Sequence, residues 1–324
     1  MPFQILLSLF LTLILIILGS LNFISSSLGV YGNSRVDEKR VPLIGGLIIL
    51  IFFNLGYLIC YNIIDYDFTI NIVIISFFLL GYIDDKLNLS PIIRIISQFS
   101  ISVFFLSFND FYLIKQINLF NYSHNLDVFT SYFFTSLCIV FLINCMNYFD
   151  GLNGLLIFFI FTVLILFFYL NKLYDPLILL TLVTPLIFVF YLNILDKIFL
   201  GDSGVYVLSF ILTLVLIFLH NNIHSPVYEK SIMPILICFI PLLDFIRVSF
   251  TRFLKKKSLF FKDSNHLHDL FFNKYGNFYS LVLLSALQLA FTAIILIFYK
   301  HSIQLILIFL IIYLLIFFHL KENK

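Results

Sequence analysis

The chain has 324 residues, of which 62% are hydrophobic and 11% are charged. A soluble domain carries about 25% charged residues, so this composition excludes an ordinary water-soluble fold and points to lipid as the main solvent. The formal net charge of +2 is too small to indicate nucleic-acid binding. The four cysteines lie inside apolar runs without metal-ligand spacing, which predicts buried, unreactive thiols.

Apolar runs long enough to cross a membrane as helices, which takes roughly 20 residues, recur along the whole chain. There are eleven, at 2–24, 43–62, 67–83, 92–108, 131–148, 154–170, 176–194, 203–220, 231–250, 278–299 and 302–319. The first has no basic start and no small-residue cleavage site, so we expect a retained helix. The runs predict an all-α, polytopic integral membrane protein that forms a single membrane-embedded domain over residues 1–324.

Lysine and arginine are divided unevenly between alternate loops. Of the 19 basic residues, 15 fall in one set of loops and 4 in the other. Because basic residues accumulate in cytoplasmic loops, we expect the N-terminus outside and the C-terminus in the cytoplasm. The polar motifs of the chain then all fall in predicted cytoplasmic loops, near residues 31–46, 81–94, 144–154, 193–204 and 251–277.

The most polar segment beside an apolar run is Asn144-Cys-Met-Asn147-Tyr-Phe-Asp150-Gly151-Leu152-Asn153-Gly154. Three amides, a carboxylate and two glycines within eleven positions predict a turn that binds a polar ligand. The alternative is a plain helix-turn-helix in which Asp150 caps the second helix. Capping explains the acid but leaves the amides unexplained, so we favour the ligand-binding interpretation.

Two other loops carry acids. Asp84 and Asp85 are adjacent, and their mutual repulsion would ease if a divalent cation or a proton lay between them. A solvated loop is the alternative for this pair. Asp202 lies between Gly201 and Gly204 at the start of a predicted helix, where a carboxylate can hold Mg²⁺ or cap the helix.

The first and last cytoplasmic loops are basic. Lys39 precedes the pair Gly45-Gly46, which is most simply positive-inside charge followed by a helix-packing element. The last loop carries Arg252 and the sequence His266-Leu-His268. Two imidazoles at that spacing can bind a metal or donate to phosphate, whereas a basic cluster alone would anchor the loop to anionic lipid.

These motifs resemble those of the polyprenyl-phosphate N-acetylhexosamine-1-phosphate transferases, glycosyltransferase family 4. They occur in the same order along the chain as in that family, and all of them fall on one predicted face of the membrane. The resembling segments are Pro42 to Gly46, Gly81 to Lys86, Asn144 to Gly154, Phe199 to Gly204 and Asp263 to His268. The resemblance implies transfer of a sugar phosphate, GlcNAc-1-phosphate first of all, from a UDP-N-acetylhexosamine to undecaprenyl phosphate, releasing UMP. It also implies a Mg²⁺ cofactor, with Mn²⁺ as an alternative, and a bacterial inner membrane with the active site on the cytoplasmic face.

The resemblance further implies roles for single residues. Asp202 would be the metal ligand, and Asp84, Asp85 and Asp150 the catalytic acids; which of the tandem pair contacts the lipid phosphate is left open. The substrate-binding residues would be Lys39, Asn147, Gly151, Leu152, Asn153, Phe199, Arg252, His266 and His268. The sequence leaves open whether the transfer is direct or proceeds through a covalent intermediate.

Some positions depart from the family's usual pattern, namely Asn153, Val205 and Asp269. The broken histidine run and Phe149 before the central acid point away from the branch that starts peptidoglycan, toward branches that start O-antigen, teichoic acid or capsule. Two other interpretations are a membrane transporter and an inactive member of the same fold. A transporter would place ionisable residues at mid-membrane. Here the acids lie at predicted helix ends, which favours an enzyme whose partners are the UDP-sugar, undecaprenyl phosphate and membrane lipids; a homodimer is left open.

Overall fold

A computed structural model describes residues 28–29, 41–60, 68–119, 122–171, 176–222, 231–258, 265–298 and 301–322. These residues are mostly helical, which confirms the all-α prediction. The only strands among them form two short antiparallel hairpins. They are β1 (Leu28–Gly29) with β2 (Val41–Pro42), and β3 (Gln116–Leu119) with β4 (Tyr122–Asn125), where Gln116 pairs with Asn125.

The helices follow the predicted apolar runs closely. They are α1 (Gly45–Cys60), α2 (Phe68–Leu87), α3 (Pro91–Phe108), α4 (Val128–Phe149), α5 (Leu155–Asn171), α6 (Pro176–Ile194), α7 (Gly201–Asn222), α8 (Ile232–Ile237), α9 (Phe239–Leu254), α10 (Leu267–Phe298) and α11 (Ser302–Glu322). A short 3₁₀ helix, Asp110–Tyr112, precedes β3. The predicted span over residues 2–24 lies outside the described residues.

Six of the described helices are long and apolar enough to cross a membrane: α2, α3, α4, α7, α10 and α11. They differ in burial, since 94% of the apolar window of α7 is buried against 22% for α3. A helix as buried as α7 has protein on all sides, whereas α3 presents a broad apolar face outward. The chain is therefore a multi-pass membrane protein, while the total of eleven spans and the orientation stay predictions.

The predicted span at 231–250 is not continuous. It breaks at Cys238 into α8 and α9, because Pro241 has no N–H to donate to the carbonyl of Ile237. The amide nitrogen of Gln288 lies 3.5 Å from that carbonyl oxygen and partly replaces the lost donor. The helix predicted from residue 278 begins earlier, at Leu267, and bends at Gly276, whose φ of 75° is not helical.

The described chain falls into two compact units. The first comprises 1–108 and 168–210, in which α1 packs on α6 and α2 packs on α3. Its core contains Phe210, whose ring centroid is 4.9 Å from that of Phe77 and 5.2 Å from that of Phe105. The second comprises 109–167 and 211–324, in which α9 packs on α4 and α10 on α11. There Phe291 and Phe309 stack with centroids 3.8 Å apart.

Candidate functional site

In the first unit, Asp84 near the end of α2 is a buried hydrogen-bonding centre that is 3% exposed. Its Oδ1 accepts from the backbone N–H of Leu89 at 3.0 Å. Its Oδ2 accepts from Arg94 Nη1 at 3.2 Å and from the hydroxyl of Tyr206 at 2.5 Å. Both oxygens of Asp84 are therefore engaged by protein donors that join α2, α3 and α7.

Asp85, the next residue, caps the start of α7. Its Oδ1 accepts from the backbone N–H of Asp202 at 2.8 Å, and its Oδ2 accepts from that of Ser203 at 3.2 Å. The first N–H groups of a helix have no partner inside the helix, and the helix dipole favours negative charge there. Asp85 therefore fixes the first turn of α7 and, with it, the position of Asp202.

The close approach at this point depends on glycine. The N–H of Gly45 donates to the carbonyl of Phe199 at 3.0 Å, and that of Gly46 donates to the carbonyl of Leu200 at 3.2 Å. A Cβ at Gly46 would lie 2.5 Å from the backbone nitrogen of Gly204. The glycine pair thus serves the packing of α1 on the loop before α7, as the simpler interpretation of the sequence expects.

Asp202 itself lies in the first turn of α7, where its backbone N–H contacts Asp85 and its charge acts on Arg94, the ion-pair partner of Asp84. The carboxylates of Asp84 and Asp202 thus both act on one guanidinium, with Asp85 close by, an excess of negative charge that suits a divalent cation. The described residues hold no group of three or more His, Cys, Asp or Glu arranged as a complete metal cage. Mg²⁺ is commonly held by one or two carboxylates together with water and substrate phosphates, so a single ligand such as Asp202 fits that ion.

In the second unit, Asp150 ends α4. Its backbone N–H donates to the carbonyl of Met146 at 2.9 Å, and α5 begins only at Leu155, so Asp150 does not cap the following helix. No described residue donates a hydrogen bond to its carboxylate. Burial without a compensating partner raises the pKa of Asp150 to about 7. This carboxyl group can therefore hold or release a proton near neutral pH.

Beside Asp150 lies a stack of three rings, Tyr148, His266 and His268, here called the ring stack. The centroids of Tyr148 and His266 are 5.4 Å apart, as are those of His266 and His268, whose planes differ by 4°. The guanidinium of Arg252 lies 5.2 Å from the ring of Tyr148. The polar turn and the histidine loop, which are far apart in sequence, are therefore brought together in this unit.

Gly151 is the direct contact between those two motifs. A Cβ at Gly151 would lie 1.8 Å from Nε2 of His268, so only a glycine leaves room for the imidazole. The Asp150-Gly151 turn and His268 thus occupy adjoining positions. A carboxyl group that titrates near neutrality, two imidazoles and a guanidinium together can bind an anion and transfer a proton.

Asp244 holds the histidine loop in place from α9. Its Oδ2 lies 2.9 Å from Nδ1 of His266, and its Oδ1 accepts from the N–H of Leu267 at 3.0 Å. The same oxygen accepts from Arg247 Nη2 at 2.7 Å and from the hydroxyl of Tyr313 at 2.8 Å. A single buried carboxylate therefore ties α9 and α11 to the first turn of α10.

The remaining predicted residues have varied surroundings. Leu152 and Phe199 are buried, whereas Asn147 and Asn153 are half-buried. Lys39 lies outside the described residues. Asp84, Asp85, Phe199 and Asp202 belong to the first unit, and Asp150, Arg252 and the histidines to the second. The predicted roles of all of these residues stay predictions.

Four residues of these networks carry no predicted role: Tyr148, Tyr206, Asp244 and Tyr313. One signal was available for Asp244, because it lies with Arg247 inside the otherwise apolar run 231–250. Charged residues inside such a run are expensive unless they are paired, so an acid and a base at i and i+3 predict a buried ion pair. The tyrosines carry no comparable signal in a chain with 18 of them.

Comparison with known proteins agrees with this geometry. Residues 68–220 match the family described as glycosyl transferase family 4. The chain is also 26% identical over 247 residues to a protein of Bacillus subtilis (strain 168) named as a probable undecaprenyl-phosphate N-acetylglucosaminyl 1-phosphate transferase. That match covers 73% of this chain and 67% of the relative. These findings confirm the resemblance to glycosyl transferase family 4 that the motifs predicted, with the family match lying over residues 68–220.

Proposed function

We propose that this protein transfers an N-acetylhexosamine-1-phosphate, with GlcNAc-1-phosphate as the first candidate, from a UDP-sugar to undecaprenyl phosphate. A phosphate oxygen of the lipid attacks the β-phosphorus of the UDP-sugar, and the bond between that phosphorus and the oxygen of UMP breaks. UMP leaves, and the sugar stays on the lipid through a new pyrophosphate linkage. The name of the Bacillus subtilis relative, which specifies this lipid and this sugar, supports the choice.

The observation that carries the proposal is the setting of Asp150. Among the described residues none donates a hydrogen bond to its carboxyl group, burial raises its pKa to about 7, and the turn that bears it adjoins the ring stack. An acid that titrates near neutrality is suited to take a proton from an attacking phosphate or to orient it. Direct attack requires no covalent intermediate on the protein, since a phosphate is already an adequate nucleophile.

The acids of the first unit have a different part in the proposal. Asp202 is the residue that would hold Mg²⁺, and the bound ion would neutralise charge on the diphosphate. Asp84 and Asp85 act as positioning residues, because both carboxylates are engaged by protein donors. Asp85 holds the backbone of Asp202, and Asp84 holds α2 against Arg94 and Tyr206.

The cationic side chains of the second unit suit an anionic substrate. Arg252, His266 and His268 would bind phosphate or sugar groups, and Asn147 and Asn153 would provide amide contacts to the nucleotide. The positive-inside distribution supports a cytoplasmic location for the reaction, where UDP-sugars are made, in a bacterial inner membrane. A lipid-linked sugar formed there would start a cell-surface glycan such as an O-antigen.

Turnover with defined substrates tests the proposal. Purified protein in detergent with Mg²⁺, undecaprenyl phosphate and radiolabelled UDP-GlcNAc should release UMP and yield a lipid of the mass of undecaprenyl-pyrophosphoryl-GlcNAc. Asp202→Asn should abolish turnover at every usable Mg²⁺ concentration, since a bound ion loses its charged ligand. Failure to release UMP from any UDP-N-acetylhexosamine would exclude the proposed activity and favour a transporter or an inactive member of the fold.

A further inference from the structure

Arg252 is an unusual residue for the end of a membrane-edge helix, because it is only 2% exposed. A guanidinium stays charged in proteins and carries five N–H donors in a planar fork, so its orientation must be fixed by acceptors or rings. One face lies 5.2 Å from the ring of Tyr148, and Nη2 lies 3.3 Å from Nε2 of His266. His266 is therefore a direct neighbour that can set the direction of Arg252.

The two neighbours of His266 define its tautomer. An ionised Asp244 can only accept, so Nδ1 of His266, 2.9 Å from Oδ2, carries a proton. Arg252 can only donate, so Nε2 of His266 must accept and carries none. For both contacts to be hydrogen bonds, His266 has its hydrogen on Nδ1 and none on Nε2. In that form neither ring nitrogen of His266 has a hydrogen to offer to a phosphate.

We propose that Asp244 and His266 are positioning residues that act through Arg252, in the order Asp244, His266, Arg252. Asp244 sets the tautomer of His266, and Nε2 of His266 then holds the guanidinium of Arg252 in the direction needed to bind the substrate's phosphate. The inference rests on the proposed function and changes one assignment in it: the anion is bound by Arg252 and not by His266.

The contacts from Asp244 through His266 to Arg252, here called the relay, are held in one arrangement by the other hydrogen bonds of Asp244 and His266. Asp244 is held by Arg247 and Tyr313, and Arg247 also donates to the hydroxyl of Tyr313 at 2.8 Å and to the carbonyl of Asn265 at 2.5 Å. From the other side, Oδ2 of Asp269 accepts from the backbone N–H of His266 at 3.2 Å. A carboxylate with this many fixed donors cannot rotate to release the imidazole, so the orientation of His266 is built into the fold.

A double-mutant cycle on turnover tests the relay. Asp244→Asn should lower kcat/KM for the UDP-sugar about 10- to 100-fold, as expected for residues that orient a ligand-binding group. The loss should appear mainly in KM, because binding of the anion is what Arg252 provides. In an Arg252→Lys background, Asp244→Asn should cause no further loss, since the residue on which it acts is already gone. Losses that multiply in the double variant would overturn the relay while leaving the transferase activity in place.

A matched control separates positioning from general destabilisation. Tyr313→Phe removes the hydrogen bond to Oδ1 of Asp244 and the one accepted from Nε of Arg247, but it leaves the contact between Nδ1 of His266 and Oδ2 of Asp244. It should lower the temperature of thermal denaturation as Asp244→Asn does, yet keep kcat/KM within about twofold of wild type. If Tyr313→Phe loses as much activity as Asp244→Asn, the role of Asp244 is structural and the inference is wrong.

The tautomer of His266 can also be measured directly by NMR, without any variant of Asp244. ¹⁵N spectra of histidine-labelled protein at pH 8 should contain a neutral ring with its hydrogen on Nδ1, and that signal should vanish in His266→Gln. A His266 signal with its hydrogen on Nε2, or a doubly protonated ring, would overturn the relay even in active protein. If wild-type protein neither turns over nor binds UDP, the proposed function fails first, and the relay fails with it.

Discussion

The two acids at the end of α2 and the acid at the end of α4 show two different uses of the same side chain. Asp84 and Asp85 accept hydrogen bonds from Leu89, Arg94, Tyr206 and the first N–H groups of α7. Asp150 is half-buried, no described residue donates to its carboxylate, and desolvation raises its pKa to about 7. The tandem pair stabilises structure, whereas Asp150, the solitary acid, is the carboxyl group that we propose acts on a substrate. The number of donors around a carboxylate is thus more informative than its place in a motif.

The largest effect is expected at the solitary acid. Asp150→Asn should lower turnover about 10³-fold, because an amide cannot accept a proton from the attacking group. Its thermal denaturation temperature at pH 8 should not fall, since ionising a buried carboxyl group costs free energy that the amide avoids. Asp127→Asn is the matched control: Asp127 is an exposed N-cap at the other end of α4, and asparagine caps equally well. An Asp150→Asn protein that is less stable than wild type but turns over normally would reverse the comparison.

Gly151→Ala should come next, with about a 10²-fold loss of kcat/KM. The new Cβ would lie 1.8 Å from Nε2 of His268, so the imidazole or the turn must move, and displacements of about 1 Å can cost this much. The measurement is turnover of the single variant beside that of His268→Ala and the double variant. If displacement of His268 is the cause, adding Gly151→Ala to His268→Ala should change little.

Asp84→Asn should lower stability by about 2 kcal/mol, because Arg94 loses its charged partner in a largely buried position. The side chain of Arg94 is 17% exposed, so the loss should be smaller than for a fully buried pair. The free energy of unfolding can be followed by denaturant titration in mixed micelles. A stability equal to wild type, together with lost turnover in protein that still binds UDP, would make Asp84 a catalytic acid.

The pH dependence of the solitary acid should have opposite signs for activity and stability. Turnover should fall at most about tenfold per unit as the pH drops below 7, because Asp150 becomes protonated. Between pH about 4 and 7 the folded protein holds a proton that the unfolded chain has lost, so Asp150 makes stability decrease as pH rises, by at most about 1.4 kcal/mol per unit. Asp150→Asn should remove both slopes, and persistence of the activity slope would assign it to another group.

The smallest effect is expected for Asp85→Asn, about 1 kcal/mol of stability. An asparagine can still accept from one of the two N–H groups at the start of α7 but loses the negative charge that the helix dipole favours. Asp85→Ala removes both acceptors and should cost more, so the pair of variants measures the cap directly by thermal denaturation.

Much of the fold was predictable because the length of an apolar run in the sequence is enough to indicate a membrane helix. The runs at 67–83, 92–108 and 131–148 predicted α2, α3 and α4 within a few residues. The break at Cys238 was missed, although Pro241 was visible, because a proline in a membrane helix is often tolerated and its effect depends on neighbouring donors.

The site was predictable as a list of motifs but not as a set of contacts. Asp85 caps a helix that begins more than a hundred residues later, and nothing local to Asp85 indicates that partner. The distinction between Asp85 and Asp150 depends on which donors reach each carboxylate, and only tertiary structure determines this. The ring stack was equally hidden, since Tyr148 is one aromatic residue among many in an apolar helix.

The glycines near the start of α7 limit how enzymes of this kind can be redesigned. At Gly46 and Gly81 an added Cβ would meet backbone atoms of Gly204 and Ser203 at 2.5 Å, so main chain touches main chain there. Libraries of variants would waste most of their diversity at such positions, whereas Asn147 is half-buried and can be varied without such a backbone clash.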